Sequence, residues 1–116
     1  MKKVGDFWVP DIDLRRWARW GKMRRKTLEY YGEGSGAKTD DIRAALSRFE
    51  GGRVALDGGA HVGAYTRIML ERFETVYAFE PAPDTFAALE RNLRDWGVAD
   101  RVHAYQVALS DKEEKV

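Results

Sequence analysis

The sequence predicts an α/β fold: a Rossmann-like, three-layer parallel sheet that runs to about three strands, preceded by a basic helical leader. Three observations carry this. From residue 53 onward, apolar strands and amphipathic helices alternate as β-α-β-α-β, an order that implies parallel strands joined by right-handed crossovers. A glycine-rich turn, Gly58-Gly59-Ala60-His61-Val62-Gly63, separates the first strand from the first helix of that series. An acid, Glu80, ends the second strand 23 residues after Asp57, the acid that ends the first. This is the pattern of a nucleotide-binding βαβ unit, in which the turn grips one part of a ligand and the distal carboxylate takes a ribose diol.

The elements follow in chain order. Residues 1–38 form a basic, aromatic leader closed by a glycine-rich linker, and residues 39–116 form the α/β domain. Within the leader, residues 13–31 have helical spacing, with Trp17, Trp20, Leu28 and Tyr31 near one stripe and most of the Arg and Lys residues off it. Gly32-Glu33-Gly34-Ser35-Gly36 breaks the pattern. Thr39 or Asp40 then caps a short helix that buries Ile42, Ala45, Leu46 and Phe49 and is closed by Gly51-Gly52. Residues 53–57 are a strand whose successive apolar residues Val54, Ala55 and Leu56 suit a sheet covered on both faces. Residues 61–72 are a helix turning Val62, Tyr65, Ile68, Met69 and Phe73 inward, and residues 75–79 the second strand. Residues 84–96 are a helix with Phe86, Leu89, Leu93 and Trp96 on one face, ended by Gly97. Residues 102–107 are the third strand.

Composition narrows the function classes. At 116 residues, 44% apolar and 34% charged, the chain has the make-up of one soluble globular domain. It has no cysteine, which excludes disulfides and thiolate metal sites and fits a reducing, cytoplasmic compartment. No apolar run approaches the roughly 20 residues of a membrane span, and Met1-Lys2-Lys3 is not followed by a signal-peptide core. The net charge of +1 hides an asymmetry. Residues 1–38 hold ten Lys and Arg against five acids, and seven of those basic residues fall between Leu14 and Leu28 without an acid among them.

Asp57 decides between ligands. A dinucleotide pyrophosphate needs bare backbone N–H groups and a positive helix N-terminus. A carboxylate beside those phosphates would oppose them by roughly 4 kcal/mol at 4 Å and an effective dielectric near 20. With S-adenosylmethionine the sign reverses, because that ligand carries a sulfonium and an α-ammonium. Glu80 is the second anchor, since a carboxylate accepts hydrogen bonds from both ribose hydroxyls at once, and Pro81 and Pro83 stiffen the chain behind it. Two other patterns mislead. Residues 32–39 nearly spell G-x4-G-K-T, but Ala37 replaces the glycine and no apolar strand precedes it. His61 and His103 lack clustered carboxylates, so no metal site is expected.

Asp57-Gly58-Gly59-Ala60-His61-Val62-Gly63-Ala64-Tyr65-Thr66, then Ala78-Phe79-Glu80-Pro81-Ala82-Pro83, Phe86, Leu89, Asn92 and Ala108-Leu109-Ser110-Asp111 together resemble the FkbM-type methyltransferases over about residues 53–113. The resemblance implies a class I, S-adenosylmethionine-dependent enzyme that methylates a hydroxyl of a small molecule or saccharide. It implies a cofactor site of Asp57, Gly58, Gly59, Ala60, His61, Gly63, Glu80, Pro81, Ala108 and Leu109. In it Asp57, Gly59, Ala60 and Gly63 shape the methionine pocket, Glu80 holds the ribose, and Ala108 and Leu109 lie near the adenine. His61 stands where that family commonly has Asn. The stretch Phe7-Trp8-Val9-Pro10 looks like leaders of some phage-associated members. No catalytic base is named. The full fold of that class has a fourth strand pairing with the first, so residues 54–57 are expected to present a bare apolar edge that self-associates or is masked by the N-terminal helix. Two rival readings stay open: a catalytically incomplete cofactor-binding remnant, and a nucleic-acid-binding module in which Arg15 to Lys26 track phosphates while Trp17 and Trp20 stack bases.

Overall fold

A computed structural model describes residues 1–19 and 37–113. The central sheet has three parallel strands, β3 (Gly52–Gly58), β4 (Phe73–Phe79) and β5 (Val102–Tyr105), in the order β3-β4-β5. This is the expected alternation, and its order corresponds to the 3-2-1 half of a doubly wound sheet. The crossovers are α3 (Ala64–Met69) and α4 (Pro83–Asp95), with a 3₁₀ turn (Ala99–Arg101) leading into β5.

The local sequence explains α4 well. Pro83 occupies the first turn, where its missing N–H costs nothing, and Asp84 complements the helix dipole there. Thr85, Ala88, Leu89, Asn92 and Leu93 recur at i, i+3, i+4, i+7 and i+8 and are all buried. Gly97, at φ +69°, ends the helix: its N–H donates to the Arg94 carbonyl while that of Val98 donates to Leu93, a Schellman closure.

One face of the sheet forms the core. Val76, Ala78 and Val102 pack with Leu70, Leu89, Leu93 and Ala60, with Ala55 and Ala104 at the margin. Arg101 holds this unit at its lower end, its guanidinium donating to the carbonyls of Leu70, Phe73 and Glu74 at 2.8–3.1 Å. The other face is open. Val54 and Leu56 are 52% and 65% exposed, so the expectation that β3 is covered on both faces is not met among the described residues.

The leader contributes a feature that its sequence did not suggest. β1 (Lys2–Val4) and β2 (Phe7–Val9) form an antiparallel hairpin around Gly5-Asp6, with Gly5 at φ +59° as such short turns require. Phe7 and Val9 are fully buried with Val62, Ala64 and Ala88 in a second cluster. Phe7 meets Trp96 edge-on at 5.1 Å, and the Arg67 guanidinium lies over both rings, 4.8 and 4.6 Å from their centroids. The helix expected from residue 13 begins earlier, as α1 (Asp11–Arg19). Its continuation, with Trp20, Leu28 and Tyr31, lies outside the described residues, as does the glycine break.

α2 (Ala37–Leu46) is present, but Ile42 and Leu46 are only half-buried, Ala45 is exposed and Phe49 is 62% exposed. Phe49 sits beyond the helix in the turn before Gly51, where its carbonyl accepts from Arg72, so its ring does not reach the core. The helix expected over 61–72 is shorter, because residues 60–63 are spent on the turn and Phe73 opens β4.

Candidate cofactor site

The residues singled out in sequence gather at the carboxyl ends of the three strands, where open parallel sheets bind their ligands. Asp57 and Gly58 end β3, Glu80 follows β4, and Ala108 and Leu109 follow β5. Leu109 reaches back over the turn: a Cβ on Gly58 would stand 3.2 Å from its Cδ1. Ala108 and Leu109 are exposed, Pro81 is half-buried, and Ala60 is buried at the edge of the main core.

Asp57 is 4% exposed and accepts a 2.6 Å hydrogen bond from Thr66 Oγ1 on α3. Burial pushes its carboxyl up from the ordinary range, and the Thr66 bond offsets part of that rise. A buried carboxylate with one oxygen fixed by a hydroxyl gains from a cationic partner on the other.

The turn itself is held by main-chain carbonyls and by the Glu80 side chain. The N–H groups of Gly59 and Ala60 both donate to the Phe79 carbonyl at 2.9 Å, and that of Gly63 donates to Ala60. The His61 N–H donates to Glu80 Oε1 at 3.0 Å, while Glu80 Oε2 accepts from Ala82 at 3.0 Å. Thus the N–H groups of Gly59, Ala60, His61 and Gly63 all face protein acceptors, and they make no bare cradle for a pyrophosphate. Each Glu80 oxygen keeps a second lone pair, enough for a pair of ribose hydroxyls.

Gly63 is required on two counts. Its φ of +98° disfavours a side chain, and a Cβ there would stand 2.9 Å from Leu89 Cδ1 and 3.2 Å from Trp96 Cζ3. His61 takes φ +52° without being glycine. Its Nε2 lies 3.0 Å from Asp13 Oδ2 on α1.

Asn92 is the residue whose part was least visible in sequence. Fully buried on α4, it donates through Nδ2 to the carbonyls of Val62 and Trp8, and its Oδ1 accepts from the Trp8 N–H. One amide therefore joins the turn, α4 and the hairpin. Asp13 was likewise missed, since nothing local links it to a residue 48 positions away. His103 stacks on Tyr77 at 4.7 Å, which agrees with a packing or surface residue, and no group of three potential metal ligands occurs among the described residues.

Known proteins agree with this fold. The sequence matches no protein-family model and no curated protein. Among solved structures it is similar to a Pyrococcus horikoshii protein described as an RNA methyltransferase, at 16% identity and TM-score 0.57, over 72% of this chain and 43% of that one. It is similar to an S-adenosylmethionine-dependent O-methyltransferase of Thermotoga maritima at 25% identity and TM-score 0.52, over 63% of this chain and 28% of the other. A precorrin 8W decarboxylase of Methanobacterium thermoautotrophicum is similar at 25% identity and TM-score 0.52, over 62% and 39%. The chain therefore spans less than half the length of these three proteins. The fold is Rossmann-like, of the kind found in S-adenosylmethionine-dependent methyltransferases. No helix among the described residues is long and apolar enough to cross a membrane.

Proposed function

We propose that the chain carries the cofactor-binding part of an S-adenosylmethionine-dependent methyltransferase of FkbM type, whose acceptor is a hydroxyl of a small molecule or saccharide. The observation that carries this reading is Asp57: a buried carboxylate beside a turn whose Gly59, Ala60, His61 and Gly63 amides donate to protein acceptors. That pairing suits a cationic head and opposes a pyrophosphate. In this assignment Asp57 takes the α-ammonium, and Gly58, Gly59, Ala60, His61 and Gly63 shape the methionine end. Glu80, stiffened by Pro81, accepts from the ribose, and Ala108 and Leu109 flank the adenine. The cofactor supplies a methyl group activated by a sulfonium. The protein's own task is to align the acceptor with that methyl and to exclude water. The FkbM assignment rests on the residue pattern around Asp57 and Glu80.

Calorimetry with S-adenosylhomocysteine tests it. The 116-residue chain is expected to bind S-adenosylhomocysteine and not NAD, and Glu80→Ala to weaken that binding at least about tenfold, the scale of losing charge-assisted hydrogen bonds. Absence of binding, or equal binding by the variant, overturns the assignment.

A second reading makes the acceptor a nucleic acid. It is favoured by the seven basic residues between Leu14 and Leu28 and by the RNA-methyltransferase description of the Pyrococcus horikoshii neighbour. It requires RNA binding that weakens steeply with salt and is lost when Arg15 to Lys26 are neutralised.

A further inference from the structure

We infer that Asp13 is a positioning residue of the cofactor turn, so that the N-terminal leader is a working part of the site. The inference rests on the cofactor reading above and adds to it a residue far from the glycine motif.

The chain of contacts runs from the leader to the ribose-binding acid. Asp13 lies in the first turn of α1, 14% exposed, with its Oδ2 3.0 Å from His61 Nε2. His61 sits in the turn in a left-handed conformation that few non-glycine residues adopt. Its main-chain N–H donates to Glu80 Oε1. The ring of this residue is thus met by an acid of the leader and its amide by the acid that follows β4.

The leader is itself anchored well enough to serve. Phe7 and Val9 are fully buried, and Asn92 holds both the N–H and the carbonyl of Trp8. Trp96 Nε1 donates to the Asp6 carbonyl at 3.0 Å, and Trp8 Nε1 donates to Asp95 at 2.6 Å. Pro10 is also fully buried, and its carbonyl accepts from the Asp13 N–H at 3.1 Å. The carboxylate of Asp13 is therefore carried on a segment fastened to α4, the same helix whose N-terminus begins just after Glu80. Asn92 adds the turn's Val62 carbonyl to that fastening. Asp13 and Asn92 bracket the turn at adjacent residues, His61 and Val62.

A plainer role for Asp13 is to complement the dipole of α1 from its first turn. The two roles separate experimentally. In Asp13→Asn the side chain keeps its shape and loses its charge, so the fold survives while the hold on His61 weakens. Amide hydrogen exchange read by NMR on the 116-residue chain is expected to quicken at His61 by about tenfold, the equivalent of one charge-assisted hydrogen bond, with Val76 and Ala78 unchanged. Asp13→Glu is expected to restore most of the protection. The dissociation constant for S-adenosylhomocysteine is expected to rise by a similar factor in Asp13→Asn. Uniformly faster exchange, or unchanged exchange at His61, would overturn the positioning role. Failure of the unmodified chain to bind S-adenosylhomocysteine would overturn the cofactor reading instead, and the exchange of His61 would still decide whether Asp13 holds the turn.

Discussion

The two faces of the central sheet are drawn from alternate residues of the same three strands, yet they are finished differently. On one side Ala55, Val76, Ala78 and Val102 meet α3 and α4 and the core closes. On the other, Val54, Leu56, Tyr77, Phe79, His103 and Tyr105 share a surface with no helix from the described residues upon it. That surface is neither polar nor random. Tyr77 stacks on His103 at 4.7 Å and lies parallel to Tyr105 at 6.5 Å, and Phe79 stacks on Tyr105 at 5.6 Å. The difference follows from handedness. Successive right-handed crossovers that run in one direction across a sheet place every helix on the same side. Covering the second face takes connections that run the other way from β3, the other half of a doubly wound sheet. In doubly wound folds ligands bind where the two halves meet, and the Asp57 turn stands at the corresponding carboxyl end of β3.

The largest test of this contrast is in the core. Leu89→Ala removes a fully buried side chain from α4 and is expected to cost about 3 kcal/mol in chemical denaturation, within the usual range for such cavities. Leu56→Ala, the same chemical change on the open face, is expected to cost under about 0.5 kcal/mol. Equal costs would mean that the second face is covered in solution, as self-association through that face would bring about.

Much of this was legible in the sequence, for physical reasons that also mark where legibility stops. The β-α-β-α-β order, the turn and the two acids are local signals, each set by a periodicity or a glycine. The hairpin was not legible because strands of three residues are too short to show a period of two, and because its stabilising partner, Asn92, is 84 positions from Trp8. The Asp13–His61 pair has the same cause. The run Val54-Ala55-Leu56 predicted a strand with two covered faces, and its side chains do suit that state. What it cannot report is which segment does the covering. Phe49 misled for the opposite reason: its helical spacing from Ala45 and Leu46 continued past the point where the chain turns toward Gly51.

The second test concerns Asp57, which sits on the covered side of β3 in register with Ala78. Its carboxyl is pushed up by burial, so the protonated form is favoured in the folded state. A raised value makes a contribution to stability that is complete below the unfolded-state value and fades as pH rises through the folded one. At neutral pH the ionised group therefore opposes folding. Asp57→Asn keeps the oxygen that accepts from Thr66 and is expected to be more stable than the parent at pH 7, by about 1 kcal/mol. That gain should shrink as pH falls through the folded value of Asp57. The same substitution should weaken S-adenosylhomocysteine binding, because the neutral amide does not attract an ammonium. A gain in stability with a loss of affinity identifies a group retained for its ligand and not for the fold. A loss in both would identify Asp57 as a purely structural acceptor for Thr66.

The smallest effect lies at the outer rim of the helix layer. Arg43 on α2 grips Glu71, just beyond α3, through Nε at 3.0 Å and Nη2 at 2.9 Å, and both side chains are nearly half exposed. The Arg43 guanidinium holds the Glu71 carboxyl below the usual range. A lowered value stabilises above the unfolded-state value and ceases to do so as pH falls through the folded one. Solvent screens the pair, so Glu71→Gln is expected to cost only about 0.5 kcal/mol at pH 7, less in high salt, and nothing once the acid limb has protonated Glu71. The bidentate fork is what keeps this value above zero, since it fixes the approach of α2 to α3 where half-buried Ile42 and Leu46 supply little apolar hold. If Glu71→Gln instead costs as much at low pH as at neutral pH, the cost does not come from the Glu71 charge, and the Arg43 pair is not what holds α2 to α3.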